Sequence, residues 1–174
     1  KFDWGEKQEA ALAALKLAAN LAPAKAAPDY ALPFEVYVDA SDVGVAAVLV
    51  QWRPDAEGTP VPMAILHKSR RWSDREAKWE VACREMYALK YGLFEFREYL
   101  QGCPNVSVFS DHLNLVNGLW KHSNPKIVRW RMFLESMRLF SLKHIRGTDQ
   151  MQMAADALSR LHIRNLTLQK NEEE

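Results

Sequence analysis

Residues 34–40 alternate with a period of two, Phe34, Val36 and Val38 opposing Glu35, Tyr37 and Asp39. Successive side chains of a strand point to opposite faces, so this pattern predicts a two-sided strand. The run VGVAAVLVQW follows almost at once and predicts an antiparallel hairpin closed through Ser41–Gly44. RPDAEGTP has the composition of a turn, and PVPMAILHKS reads as a third strand. The period then changes. Ala82, Met86, Leu89, Leu93, Phe96 and Leu100 recur at threes and fours, the buried stripe of one long amphipathic helix. Ser73 is its expected cap, with Glu76 three residues on as the capping-box partner, and Gln101-Gly102 its expected end. NVSVFSD reads as a fourth strand, HLNLVNGLW as a short helix, and Pro125 opens a helix through KIVRWRMFLESM. LFSLKHIR is a fifth strand, and a final helix is predicted to begin near Met153 or Ala154. The order β-β-β-α-β-α-α-β-α predicts an α/β fold, a mixed sheet with helices on both faces.

The flanks read differently. Residues 5–20 have helical composition, and LAPAKAAPDYALP, with three prolines, reads as an extended connector. We therefore expect residues 1–32 to be the trailing end of a preceding module, residues 33–164 a domain, and residues 165–174 a polar tail. A chain of 174 residues, 48% hydrophobic, can build one domain with a sizeable core. It opens on Lys1 and reads as a piece of something longer. No apolar run approaches the roughly 20 residues of a membrane span and no signal peptide is visible. Cys83 and Cys103 make no framework and read as free thiols of a reducing compartment. A net charge of +1 does not mark the whole chain as a nucleic-acid binder. Two local clusters lean that way: His67, Lys68, Arg70, Arg71 and Arg75, then Lys121, His122, Lys126, Arg129 and Arg131.

Four acids carry the candidate chemistry. A helix between the third and fourth strands favours a parallel, adjacent pairing of strands one and four. That pairing sets Asp39 and Asp111 side by side at carboxyl ends, where open α/β sheets place ligands. Glu85 lies at the edge of the apolar stripe, where an acid is costly unless paired or metal-bound. Asp156 reaches the same end from the last helix. Taken singly, a strand-end Asp is most often a turn residue; the weight lies in convergence. Four oxygen donors suit Mg²⁺ or Mn²⁺ rather than Zn²⁺, and two such ions, held by Asp39, Glu85, Asp111 and Asp156, would serve phosphodiester hydrolysis.

The segments DASDVGVAAVLVQ, KSRRWSDREAKW, REMYALK, EYLQG, SDHLNL, Arg129-Trp130 and ADALSR, in this order, resemble the ribonuclease H domain of gypsy-type LTR retrotransposon polyproteins. The resemblance covers roughly residues 33–162, and APDYALPFEVYVDAS is similar to the join between reverse transcriptase and that domain. It implies a ribonuclease H-like fold, a five-stranded mixed sheet of order 3-2-1-4-5, and cleavage of the RNA strand of an RNA–DNA hybrid during reverse transcription. It also implies two Mg²⁺ or Mn²⁺ ions, a reverse transcriptase domain of the same polyprotein as partner, and residence in a cytoplasmic virus-like particle of a retroelement. Asp39 from DAS, Glu85 from REMYAL, Asp111 from SDH and Asp156 from ADALSR match the family's catalytic and metal-binding acids. Glu85 is preferred to Glu80 because it immediately precedes Met-Tyr-Ala-Leu. The chain departs from the pattern at residues 148–155, which read as a lengthened loop. There Thr148 stands where cellular enzymes carry a histidine, and Gln150 or Gln152 where the family has Asn. His144 reads as a structural strand residue.

A hybrid is recognised through backbone shape and 2′-hydroxyls. Ser41, the backbone at Gly44, Arg70, His112 and Arg129 are the candidate substrate contacts, each with a packing, capping or solvated role as its plain alternative. Trp130 and tryptophans 52, 72, 79 and 120 are assigned to packing. Two readings compete with an active ribonuclease H. One is a catalytically silent tether of the same fold that binds nucleic acid; the other is a DNA strand-transferase of the same superfamily, whose motifs do not include ADALSR.

Overall fold

The structure, a computed structural model, describes residues 5–10, 27–103, 105–112, 122–137 and 140–160. Most of the predicted front helix, residues 113–120 of the predicted short helix with Trp120 among them, Lys121 and the polar tail lie outside the described residues. Strand β1 (Phe34–Ala40) turns back through Ser41–Gly44 into β2 (Gly44–Pro54), and β3 (Pro60–Arg71) follows antiparallel to β2. The turn between β2 and β3 is held by Asp55, whose carboxylate accepts from the amides of Glu57 and Thr59; Gly58 takes the positive φ it needs. Helix α1 (Val81–Glu95) and the short α2 (Arg97–Leu100) lead to β4 (Val106–Ser110). Helix α3 (Pro125–Ser136), β5 (Phe140–His144) and α4 (Gln150–Arg160) complete the order. Asn124 caps α3, accepting from the Lys126 amide, with Pro125 in the first turn where its missing N–H is harmless.

The sheet has the order β3-β2-β1-β4-β5, β1 parallel to β4 and β4 parallel to β5, as expected. Its strand period sorts the two faces. Phe34, Val36, Val38, Val45, Ala47 and Leu49 pack with Met86, Leu89 and Leu93 of α1 and with Ile127 and Leu134 of α3. Tyr37, Val48 and Val50 pack on the other face with Ala155 of α4. Gly92 lets α1 lie close on the sheet: a Cβ there would meet Val38 Cγ1 at 2.7 Å and Val36 Cγ1 and Ala47 Cβ at 3.2 Å. All three neighbours are fully buried and cannot step aside. Gly92→Val is therefore expected to lower stability by about 3 kcal/mol, read from the midpoint of urea unfolding; an unchanged midpoint would refute this packing.

The single helix expected to end at Gln101-Gly102 is broken at Phe96 into α1 and α2, and two boundaries also differ from expectation. The long helix starts at Val81, not after Ser73. The Ser73–Glu76 box does form, Glu76 Oε2 accepting from the Ser73 amide at 2.9 Å, but it closes only a short 3₁₀ turn over Glu76–Lys78. Trp79 and Glu80 are then extended, and the Trp79 ring sits among Trp72, Tyr87 and Trp130. Tertiary packing of that indole overrides helix propensity. The second difference is the expected loop over residues 148–155. Helix α4 begins at Gln150, so most of the supposed loop is an added helical turn, its first bond running from the Met153 amide to the Asp149 carbonyl at 2.8 Å.

Candidate functional site

The β1–β4 register pairs Tyr37 with Phe109, and their rings stack with centroids 4.8 Å apart. Two residues further on, at the same level on neighbouring strands, come Asp39 and Asp111. Asp39 is 6% exposed and receives a 2.6 Å hydrogen bond at Oδ2 from the hydroxyl of Ser159 on α4. Burial raises its pKa, the Ser159 bond lowers it, and the charges of Asp111 and Asp156 raise it again. Glu85, 7% exposed on α1, comes to this end of the sheet from the opposite face. Its pKa is pushed up to about 8, first by burial and then by Asp39 and Asp111, against a smaller opposing effect of Arg84. These mutual influences place the acids in one electrostatic neighbourhood at the carboxyl ends of β1 and β4.

Asp111 is exposed just past β4. Its carboxylate lies against the backbone at Gly147, where a Cβ would come within 3.1 Å of Oδ2; a glycine is what lets the segment leaving β5 close on this acid. His144 ends β5 and brings Nε2 within 3.1 Å of the Asp111 carbonyl, tying the ends of β4 and β5 together. Asp156, in the second turn of α4, is engaged by Arg160 one turn on, with Nε and Nη2 each 2.6 Å from Oδ1. Among the described residues, no three Asp, Glu, His or Cys side chains are drawn together tightly enough to hold a metal ion as they stand. The donor set nevertheless fits hard divalent cations: all oxygen, two members buried, and their largest influences are unfavourable to negative charge until a cation is supplied.

The other candidate residues fall into two groups. Ser41, Gly44 and Arg70 are satisfied inside the protein. The buried Ser41 hydroxyl donates to the Ser159 carbonyl at 2.8 Å and accepts from the Val43 and Gly44 amides. A Cβ at Gly44 would lie 2.5 Å from the Arg70 carbonyl, so this glycine allows the close pairing of β2 with β3. Arg70 is gripped by both oxygens of Glu76 at 2.8 and 2.7 Å and by the Tyr87 hydroxyl at 2.7 Å, with its guanidinium over the Trp72, Tyr87 and Tyr91 rings. Glu76 is correspondingly lowered to about 2, chiefly by Arg70. His112 and Arg129 form the second group. His112 is partly exposed with Nδ1 3.7 Å from Glu85 Oε1, and Arg129 is exposed on α3. Trp130 packs against Trp79 and Tyr87, as its assignment to the core required.

Sequence reasoning missed Ser159 and Arg160 as parts of this site. Their signal was present: they stand three and four residues after Asp156, on the same helical face.

Residues 29–137 match the family described as an RNase H-like domain found in reverse transcriptase. The chain belongs to that family. It is 30% identical over 140 residues to the retrovirus-related Pol polyprotein from transposon gypsy of Drosophila melanogaster, an alignment covering 80% of this chain and 12% of the polyprotein. The chain thus spans about an eighth of the length of the curated relatives it matches. Among solved structures, prototype foamy virus protease-reverse transcriptase superposes with a TM-score of 0.62 at 13% identity, over 87% of this chain and 20% of that one. LC11-RNase H1 in complex with an RNA/DNA hybrid superposes at 0.51 with 15% identity, over 72% of this chain and 92% of that one. At such identities the superpositions establish the ribonuclease H fold.

Proposed function

We propose that this domain is an endonuclease that hydrolyses the RNA strand of RNA–DNA hybrids during reverse transcription, working beside the polymerase of its own polyprotein. The observation that carries the reading is the convergence of Asp39, Glu85, Asp111 and Asp156, from four separate elements, on the carboxyl end of β1 and β4. The hybrid named in the LC11-RNase H1 complex supports the substrate class, and the gypsy Pol polyprotein supports a retrotransposon polyprotein as the setting; residence in a cytoplasmic retroelement particle is part of the proposal. We assign residues 33–164 to the nuclease and residues 1–32 to its connection with the polymerase.

In this reading the four carboxylates hold two Mg²⁺ or Mn²⁺ ions. When bound, such ions supply charge neutralisation at the scissile phosphate and a nucleophile at neutral pH. The chain's own contribution is placement. Parallel pairing sets Asp39 and Asp111 level, α1 brings Glu85 up from beneath, and α4 carries Asp156. Arg160 pairs with Asp156 at Oδ1, and with its side chain 65% exposed it would be free to turn to solvent if Asp156 held a cation. His112 and Arg129 are the proposed contacts to the hybrid, Arg129 toward phosphate. Ser41, Gly44 and Arg70 serve the substrate indirectly, by fixing the hairpin and strand that frame Asp39.

The Arg160–Asp156 pair, and the spacing of the acids as they stand, favour one second reading, a silent tether that binds nucleic acid without cutting it. Incubation with an RNA–DNA hybrid and a DNA duplex, each with Mg²⁺, separates the readings. We expect cleavage confined to the RNA of the hybrid. Binding without cleavage would establish the tether, and cleavage of duplex DNA would point to a strand-transferase.

A further inference from the structure

Ser159 is 2% exposed and stands at the junction of the three elements around Asp39. Its hydroxyl reaches Asp39 Oδ2 at 2.6 Å and lies 2.9 Å from the Asp156 carbonyl. One hydroxyl proton cannot serve both, and an ionised carboxylate is the stronger acceptor. The proton therefore belongs to Asp39. The Ser159 carbonyl is used as well, accepting from Ser41 Oγ at 2.8 Å, while Ser41 Oγ collects the Val43 and Gly44 amides. A single residue of α4 is thus bonded to the candidate metal ligand on β1 and to the turn immediately after it.

A second side chain of the same helix repeats the grip. Gln152 is fully buried and donates Nε2 to the Val38 carbonyl at 3.0 Å, one residue before Asp39. Gln152 and Ser159 are seven residues apart, two helical turns, and so share a face. Between them α4 is fastened to β1 at two successive residues, Val38 and Asp39, and Asp156 rides on the helix so fastened.

We propose that Ser159 is a positioning residue of the cation site. It holds Asp39 by Oδ2, leaves Oδ1 for the cation, and locks the Asp39 carboxylate in fixed relation to Asp156. The inference rests on the metal-site reading given above. It gives the serine of ADALSR a role that fold stability alone does not require, because a residue needed only for packing could be replaced by one of similar volume and no donor strength.

The test is Mn²⁺ binding to the full chain, by calorimetric titration and by the rise in melting temperature on adding Mn²⁺. Variants Ser159→Cys, Ser159→Ala, Ser159→Thr and Asp39→Asn are compared with the unaltered chain. Cys keeps the volume and is a weak donor, Ala removes the donor, and Thr retains it. Ligand-supporting hydrogen bonds are typically worth 10–100-fold in metal affinity. Ser159→Cys and Ser159→Ala are expected to weaken Mn²⁺ binding by at least roughly 10-fold, and Ser159→Thr to restore most of it. Should Ala disturb the fold, Cys carries the same comparison. Unaltered Mn²⁺ affinity in Ser159→Cys, with binding abolished in Asp39→Asn, would overturn the role of Ser159 and leave the metal site standing. Thr binding no better than Cys would also overturn it. Unaltered affinity in Asp39→Asn would instead overturn the metal-site reading itself.

Discussion

Asp111→Asn is expected to lower cleavage of an RNA–DNA hybrid by at least about 10³-fold, roughly 4 kcal/mol of barrier, with melting temperature and hybrid affinity nearly unchanged. The substitution keeps shape and volume and removes one negative charge. Asp111 is exposed, and its carboxylate lies beside Gly147, where an Asn side chain of the same shape can also lie. A fold defect is therefore not expected, and the loss would fall on catalysis alone. Gel-based cleavage with Mg²⁺, beside a binding measurement in its absence, is the required pair. Turnover within a few-fold of the unaltered chain would remove Asp111 from the site.

Glu85→Gln, by contrast, is expected to raise stability. Glu85 has its pKa raised from 4.5 to about 8, so the folded state holds this proton more tightly than the unfolded chain does. The stability linked to that proton is fully present below about pH 4.5 and is lost progressively as pH rises toward 8. Near pH 8, without divalent cations, the buried carboxylate is a liability, and its neutral isostere should be more stable by on the order of 2–3 kcal/mol. That corresponds to roughly 5–10 °C in melting temperature. At pH 4 the two proteins should melt together. Saturating Mg²⁺ should shrink the gap at pH 8, because cation binding stabilises only the unaltered site. A variant no more stable at pH 8, or equally favoured at pH 4, would contradict the assigned burial and crowding.

The parts of this architecture that were legible in the chain are those set by local period. Alternation through Phe34–Ala40 records which residues share a face of the sheet, threes-and-fours through Met86–Leu100 record the buried helical stripe, and the hairpin needs only four residues to close. Two of the four acids were legible for a related reason, since Asp39 and Asp111 stand where β1 and β4 end. What escaped was set by distant partners. Arg70 reads as a free cation, yet Glu76 and Tyr87 hold it, the latter 17 residues away. The start of α1 was displaced because Trp79 packs with Trp72 and Trp130, which no local rule foresees. The start of α4 was misread because Thr148, Asp149, Gln150 and Gln152 give this stretch a loop-like polarity, whereas Gln152 is buried to bond Val38. Ser159 was overlooked because its value depends on Asp39, 120 residues earlier.

In the proposed reading, one end of the sheet gathers four carboxylates for divalent cations. Crystals of the chain soaked in Mn²⁺ and read by anomalous scattering address it most directly. Two peaks about 3.5–4 Å apart, ligated by Asp39, Glu85, Asp111 and Asp156 with Arg160 turned away from Asp156, are the expected result. Mn²⁺ bound only elsewhere on the molecule, with the Arg160–Asp156 pair intact, would contradict it.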